Sequence, residues 1–175
     1  MDYIFLIGLI GSLILVTGAA WPEGKKHPVQ SIKNWLFVIG GLFMLTYSIL
    51  GYLNGGSVFF VFLQIFIAIT TFLMMIDIDD KIDAVVIAIS GLGFVGWSLY
   101  LLEGYNTVFF IVGLTGIGLG YAFKIGTLRR PVALTLGSAL IAIFSYLAAS
   151  WIFFWLNVFF AIFSGYYVVK ALRGK

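Results

Sequence analysis

Two stripes of side chains have the types and spacing to bind a polar molecule. Gln64, Ala68 and Thr71 form one, and Asn157, Ala161 and Ser164 form the other. Positions i, i+4 and i+7 share one helix face. Each stripe therefore offers a carboxamide, a small residue and a hydroxyl in the same order. A carboxamide carries two donors and an acceptor. Paired with hydroxyls, it suits a neutral polyhydroxylated or amide-bearing solute. Both stripes lie inside long apolar runs, where polar side chains are costly unless they face protein or a water-filled cavity. Such groups also join membrane helices to one another by hydrogen bonds. That second role stays open at this point.

Other chemistries lack their residues. There is no cysteine, which removes disulfides, thiolate metal sites and cysteine catalysis. His27 is the only histidine, so imidazole pairs for haem or metal are absent. Asp77, Asp79, Asp80 and Asp83 cluster, but Lys81 stands among them and a solvated turn explains them. No nucleophile–base pair is evident, and the last apolar run has no central lysine for a Schiff base. The expectation is a protein that is not an enzyme, with no catalytic residues, no metal and no cofactor.

The elements that hold the stripes follow from composition. Of 175 residues, 62% are hydrophobic and 10% charged, and the mean hydropathy is +1.13. Soluble domains are about 45–50% apolar and about 25% charged. The apolar runs are continuous and not alternating, which favours helices over a barrel. Spans of about 20 residues fall at about 3–20, 33–52, 57–76, 84–102, 107–123, 132–149 and 151–170. The first run lacks the basic region and cleavage site of a signal peptide, so it reads as a span. Short linkers at 21–24, 54–56, 77–83, 103–106 and 129–131 separate the spans. The junction near Ala149 and Ser150 is the least marked, having neither glycine nor proline. Pro22, Pro28 and Pro131 shape span ends on one side. Gly8, Gly11, Gly113, Gly116 and Gly120 give two spans small faces for close packing.

Charge tests the count. Seven spans place all ten basic residues on one side: Lys25, Lys26, Lys33, Lys81, Lys124, Arg129, Arg130, Lys170, Arg173 and Lys175. Asp2 and Glu103 are the charges left on the other side. Basic segments stay cytoplasmic, so the N-terminus is expected outside and the C-terminus inside, in a plasma membrane of bacterial or archaeal inner-membrane type. The net charge of +3 is thereby explained without nucleic acid. Most tryptophans and tyrosines sit near span ends as interfacial anchors. Trp155 lies about a turn inside, two residues before Asn157. Tyr47 and Tyr146 are expected deep in spans 2 and 6, as walls of a cavity.

The sequence also repeats. Residues 5–11 share an F-x-x-G-L-x-G pattern with 110–116. Lys26, His27, Pro28 and Val29 stand before span 2 as Arg129, Arg130, Pro131 and Val132 stand before span 6. Residues 60–69 match 153–162 without gaps, with Phe60/Phe153, Leu63/Leu156, Phe66/Phe159, Ala68/Ala161 and Ile69/Ile162 identical. Gln64 falls on Asn157. Spans 2 and 6 align ambiguously, and the second copy is shorter there. The expected fold is an all-α membrane protein of seven transmembrane helices. Two parallel three-helix-bundle repeats, 1–78 and 105–175, are joined by a linker helix within 79–104. In parallel-repeat proteins the substrate site lies near midplane at the repeat interface.

This 3+1+3 plan resembles the SWEET (MtN3/PQ-loop) transporter superfamily. Among bacterial relatives it is most similar to small YgjV-type inner-membrane proteins, and more distantly to PnuC-type vitamin transporters. The stretch from Asn34, Trp35, Leu36 and Phe37 to Leu63, Gln64, Ile65 and Phe66 is similar to the helix 2–3 hairpin of PnuC proteins. SWEET transporters carry a sugar-facing asparagine on each of helices 3 and 7. Gln64 and Asn157 occupy those positions here, and the Pro-Gln dipeptide that names the PQ-loop group is absent. The resemblance implies a facilitator of a small neutral solute such as a sugar, working by alternating access. Its substrate-binding residues are then Gln64, Asn157, Thr71, Ser164, Trp155, Tyr47 and Tyr146, and its partners the lipid bilayer, the solute and a second copy of itself. No Asp, Glu or His lies mid-span to relay protons, so transport is expected to be uncoupled. PnuC-like vitamin or nucleoside uptake, and a non-transporting scaffold or accessory protein, are the competing expectations.

Overall fold

A computed structural model of the chain describes residues 3–21, 28–76, 79–102, 104–124 and 126–173. Pro22, Lys25, Lys26, His27, Asp77, Glu103 and Lys175 lie outside them, as do the side chains of Pro28 and Asp80. The described chain is all-α. Its helices are α1 (Tyr3–Ala20), α2 (Ile32–Leu53), α3 (Val58–Met75), α4 (Asp80–Tyr100), α5 (Tyr105–Ala122), α6 (Arg129–Leu147) and α7 (Trp151–Arg173). A single 3₁₀ turn, Pro28–Gln30, precedes α2. All seven helices are long and apolar enough to cross a membrane. The shortest have 18 residues, about 27 Å at 1.5 Å per residue, against a hydrocarbon core of about 30 Å.

Local chemistry explains where helix ends depart from expectation. α4 begins at Asp80 and not near 84, because the Asp79 carboxylate accepts from the Lys81 N–H at 2.8 Å and caps the first turn. Asp80 and Asp83 are thus helical and not in a linker. α6 begins at Arg129, with Pro131 in its first turn, where the missing N–H has no helical partner to lose. α7 runs on to Arg173, and Lys170 and Arg173 in its last turn complement the helix dipole.

Two turns share one construction. After α2, the Gly56 N–H donates to the Gly51 carbonyl at 2.9 Å and the Gly55 N–H to Tyr52 at 3.0 Å. After α6, the Ser150 N–H donates to Ser145 at 2.9 Å and the Ala149 N–H to Tyr146 at 3.0 Å. Both are Schellman motifs, which need a left-handed residue at the first position past the cap. Gly55 fills it at φ +87°, and Ala149 fills it at φ +53°. This is why the 6–7 junction shows no turn signal: an alanine does a glycine's work.

The chain forms two compact units, Met1–Ile78 and Asp79–Lys175. In the first, α2 packs on both α1 and α3. α1 and α2 run antiparallel at close range. A methyl group at Gly11 would lie 2.8 Å from Phe43 Cβ and 3.2 Å from the Gly40 carbonyl oxygen, and one at Gly18 would lie 3.1 Å from Leu36 Cβ. The Asn34 carboxamide donates to the Met74 carbonyl at 3.5 Å and ties the start of α2 to the end of α3. In the second unit, α4 packs on α5, α5 on α6, and α6 on α7. α5 and α6 are also antiparallel and close. A methyl at Gly116 would lie 2.9 Å from Gly137 Cα, and one at Gly137 would lie 2.6 Å from the Ile117 backbone nitrogen. In these contacts Phe43 takes on α1 the place that Gly137 takes on α5, since Gly11 meets Phe43 and the Gly40 carbonyl where its counterpart Gly116 meets Gly137 and the Ala133 carbonyl. α2 and α6 each bury a serine, Ser48 and Ser145.

Candidate functional site

α3 is the most buried of the seven helices. Ser57 caps its N-terminus, accepting from the Phe59 N–H at 3.3 Å. Phe59, Phe60, Phe62, Leu63 and Phe66 then fill one side of it. Gln64 sits among these rings in the first half of the helix and is 1% exposed. Neither its Nε2 nor its Oε1 has a hydrogen-bond partner. An unpaired buried amide costs about 1–3 kcal/mol by mutational measures and more in pure hydrocarbon. Gln64 is therefore a full set of donors and acceptors held ready in an apolar helix.

Thr71, two turns further along the same face, is 6% exposed. Its Oγ1 donates to the Ile67 carbonyl at 2.7 Å. Thr70, which the sequence reading passed over, is also buried and donates to the same carbonyl at 2.8 Å. Each hydroxyl keeps lone pairs for another donor. Ser48 on α2 is 3% exposed and donates to Leu45 at 2.8 Å. It was legible only as part of a mixed polar–apolar helix.

In the second unit Asn157 lies in the second turn of α7 and is 5% exposed. Its Nδ2 donates to the Phe153 carbonyl one turn back at 2.8 Å. Asn157 is thus partly satisfied by its own helix, where Gln64 is not. Ser164 is half-buried. Ser145 on α6 is fully buried and donates to Ile141 at 2.7 Å. Ser98 on α4 is fully buried with its hydroxyl unpartnered.

The aromatic candidates fare differently. Tyr47 is half-buried in α2. Tyr146 is not deep: α6 ends at Leu147, so Tyr146 lies in its last turn and is 57% exposed. Its ring packs on Trp151 and Phe154, each at 5.8 Å. Trp155 is 55% exposed and packs on Phe154 at 5.1 Å. Two residues along a helix turn the side chain by about 200°, so Trp155 points away from the face that carries Asn157. These rings form a surface cluster at the α6–α7 turn.

All ten buried polar side chains among the described residues are neutral hydroxyls or carboxamides. No three His, Cys, Asp or Glu residues among them gather as a metal-holding group. No family model, curated protein or solved structure matches the chain.

Proposed function

We propose that the chain is a membrane transporter, an uncoupled facilitator of a small neutral polar solute such as a sugar. The observation that carries this reading is Gln64, a buried carboxamide with no partner in an apolar span. Thr71, Thr70 and Ser48 supply hydroxyls in the same unit, and Asn157, Ser164 and Ser145 are the matching set in the other. The neutrality of the buried polar groups suits an uncharged solute and offers no proton relay. In this reading α1–α3 and α5–α7 are parallel repeats of SWEET-like type, and α4 is the linker between them. The close approach of α1 to α2 at Gly11, and of α5 to α6 at its counterpart Gly116, supports it. The basic residues set the N-terminus outside and the C-terminus in the cytoplasm.

Uptake into proteoliposomes tests the proposal, with sugars, nucleosides and vitamins first screened by thermal shift. A true ligand raises the unfolding midpoint with concentration. Gln64→Leu should abolish uptake while leaving a folded protein, and an imposed pH gradient should not change the rate. Uptake that survives Gln64→Leu, or that follows the pH gradient, overturns the reading. Orientation is checked by single cysteines, since the chain has none of its own. Lys124→Cys should label from inside and Tyr105→Cys from outside.

A non-transporting scaffold is the second reading. The self-bonded amide of Asn157 favours it, because a side chain satisfied by its own helix needs no solute. The same uptake assay separates the two.

A further inference from the structure

All seven acidic residues precede Tyr105, whereas six of the ten basic residues follow it. α5, α6 and α7 therefore carry positive charge with no carboxylate side chain among them. Packing gathers that charge at one end. α6 and α7 are joined by the tight turn at 148–150, and Arg129 and Lys170 lie about 20 residues from it on either side. They stand level, roughly 30 Å from the turn. Lys124, just past the end of α5, reaches the same rim, and Arg173 lies one turn beyond Lys170.

Lys124, Arg129, Lys170 and Arg173 are exposed. Arg130 is engaged inward: its Nη1 donates to the Phe123 carbonyl at 3.5 Å and its guanidinium sits 6.0 Å from the Tyr121 ring centre. One turn in from Lys170 are Tyr166 and Tyr167, 62% and 47% exposed, with rings 5.7 Å apart. Cations at the rim with tyrosines one turn deeper match the layering of phosphates over ester carbonyls in a bilayer. Asp79 and Asp83 lie at this end too, but on α4, which packs on α5 within the unit. α6 and α7 themselves carry no acidic side chain among the described residues.

We propose that the α6–α7 end is a binding surface for an anionic phospholipid. Arg129, Lys170 and Arg173 hold the headgroup phosphate, and the acyl chains lie along Val132, Leu136 and Val169, all exposed on the adjoining turns. The proposal rests on the membrane-spanning reading of these helices and is independent of any transported solute.

Native mass spectrometry of the full chain in detergent reads it directly. The protein is offered equal amounts of phosphatidylglycerol and phosphatidylcholine. Wild type should retain phosphatidylglycerol in at least about tenfold preference, since three cations meet the anionic headgroup together. The triple variant Arg129→Gln, Lys170→Gln, Arg173→Gln should bring the ratio near one, while Lys81→Gln leaves it unchanged. Equal retention by wild type overturns the proposal, as does an undiminished preference in the triple variant. Complete displacement of the lipid by inorganic phosphate also overturns it, since that marks a general anion surface. Detergent micelles impose no orientation and the readout involves no transport, so failure here is distinct from failure of the functional reading.

Discussion

α1–α3 and α5–α7 start from matching sequence patterns but acquire different surroundings. Phe5 and Phe110 hold the same place in the shared pattern, yet Phe5 is 45% exposed and Phe110 fully buried. Leu9 and Leu114 differ in the same way, at 37% and 0%. α1 packs on α2, whereas α5 has α4 on one side and α6 on the other, with the Phe110 ring 5.2 Å from that of Phe144. The carboxamides reverse the contrast. Gln64 is unpartnered in the most buried helix, while Asn157 is bonded within a helix whose buried residues end with it. Matching sequence therefore does not imply matching roles. A pattern fixes which residues share a helix face, and the neighbours decide whether that face is buried.

The largest test of this contrast is truncation of the paired phenylalanines. Phe110→Ala should lower stability by about 4 kcal/mol through the cavity left against Phe144, and Phe5→Ala by well under 1 kcal/mol. Unfolding midpoints in detergent measure both, and equal losses would erase the distinction. Next come the close-packed glycines. Gly137→Ala should cost about 3 kcal/mol, since its new methyl meets backbone at 2.6 Å. Gly40→Ala meets Leu15 Cγ at 2.8 Å and the Leu15 backbone nitrogen at 3.0 Å, a looser clash with backbone, and should cost about 2 kcal/mol.

The amides are predicted to differ in the size of their effect. Gln64→Leu removes an unpaired buried group and should raise stability by about 2 kcal/mol. Asn157→Leu gives up a bond worth roughly 0.6 kcal/mol in membrane helices and should leave the midpoint nearly unchanged. A destabilised Gln64→Leu would mean that its amide is already partnered. The smallest effects are at the turns. Gly55→Ala should cost about 1 kcal/mol, and Ala149→Gly should gain about 0.5–1 kcal/mol, because only glycine takes positive φ without strain. Opposite shifts in the same thermal assay check both.

The seven spans were legible because each is an apolar run of membrane length bounded by charge, glycine or proline. Gln64 and Asn157 were legible as buried because carboxamides in such runs must face inward. The pairing of α2 with α6 was not. α2 offers Gly40, Gly41 and Gly51 as candidates to match Gly137, yet the distances across each helix pair put Phe43 in that place, a residue no glycine pattern would suggest. Tyr146 was placed too deep, since even the expected span of 132–149 leaves it within the last turn of α6. A left-handed alanine leaves no mark in composition. Thr70 escaped notice because helical spacing from Gln64 points to Thr71, while α3 is buried over a wider arc than a single stripe.

The turn at 148–150 bears on how this chain enters a bilayer during synthesis. Its N–H groups are already bonded back to Ser145 and Tyr146, and it carries no charged side chain. Few bare backbone groups would be dragged through hydrocarbon when that tip crosses. Both open ends, by contrast, are anchored by cations: Arg129 and Arg130 on one arm, Lys170 and Arg173 on the other. α6 and α7 are thus fit to insert together as a single folded hairpin, tip first, with neither helix having to cross alone.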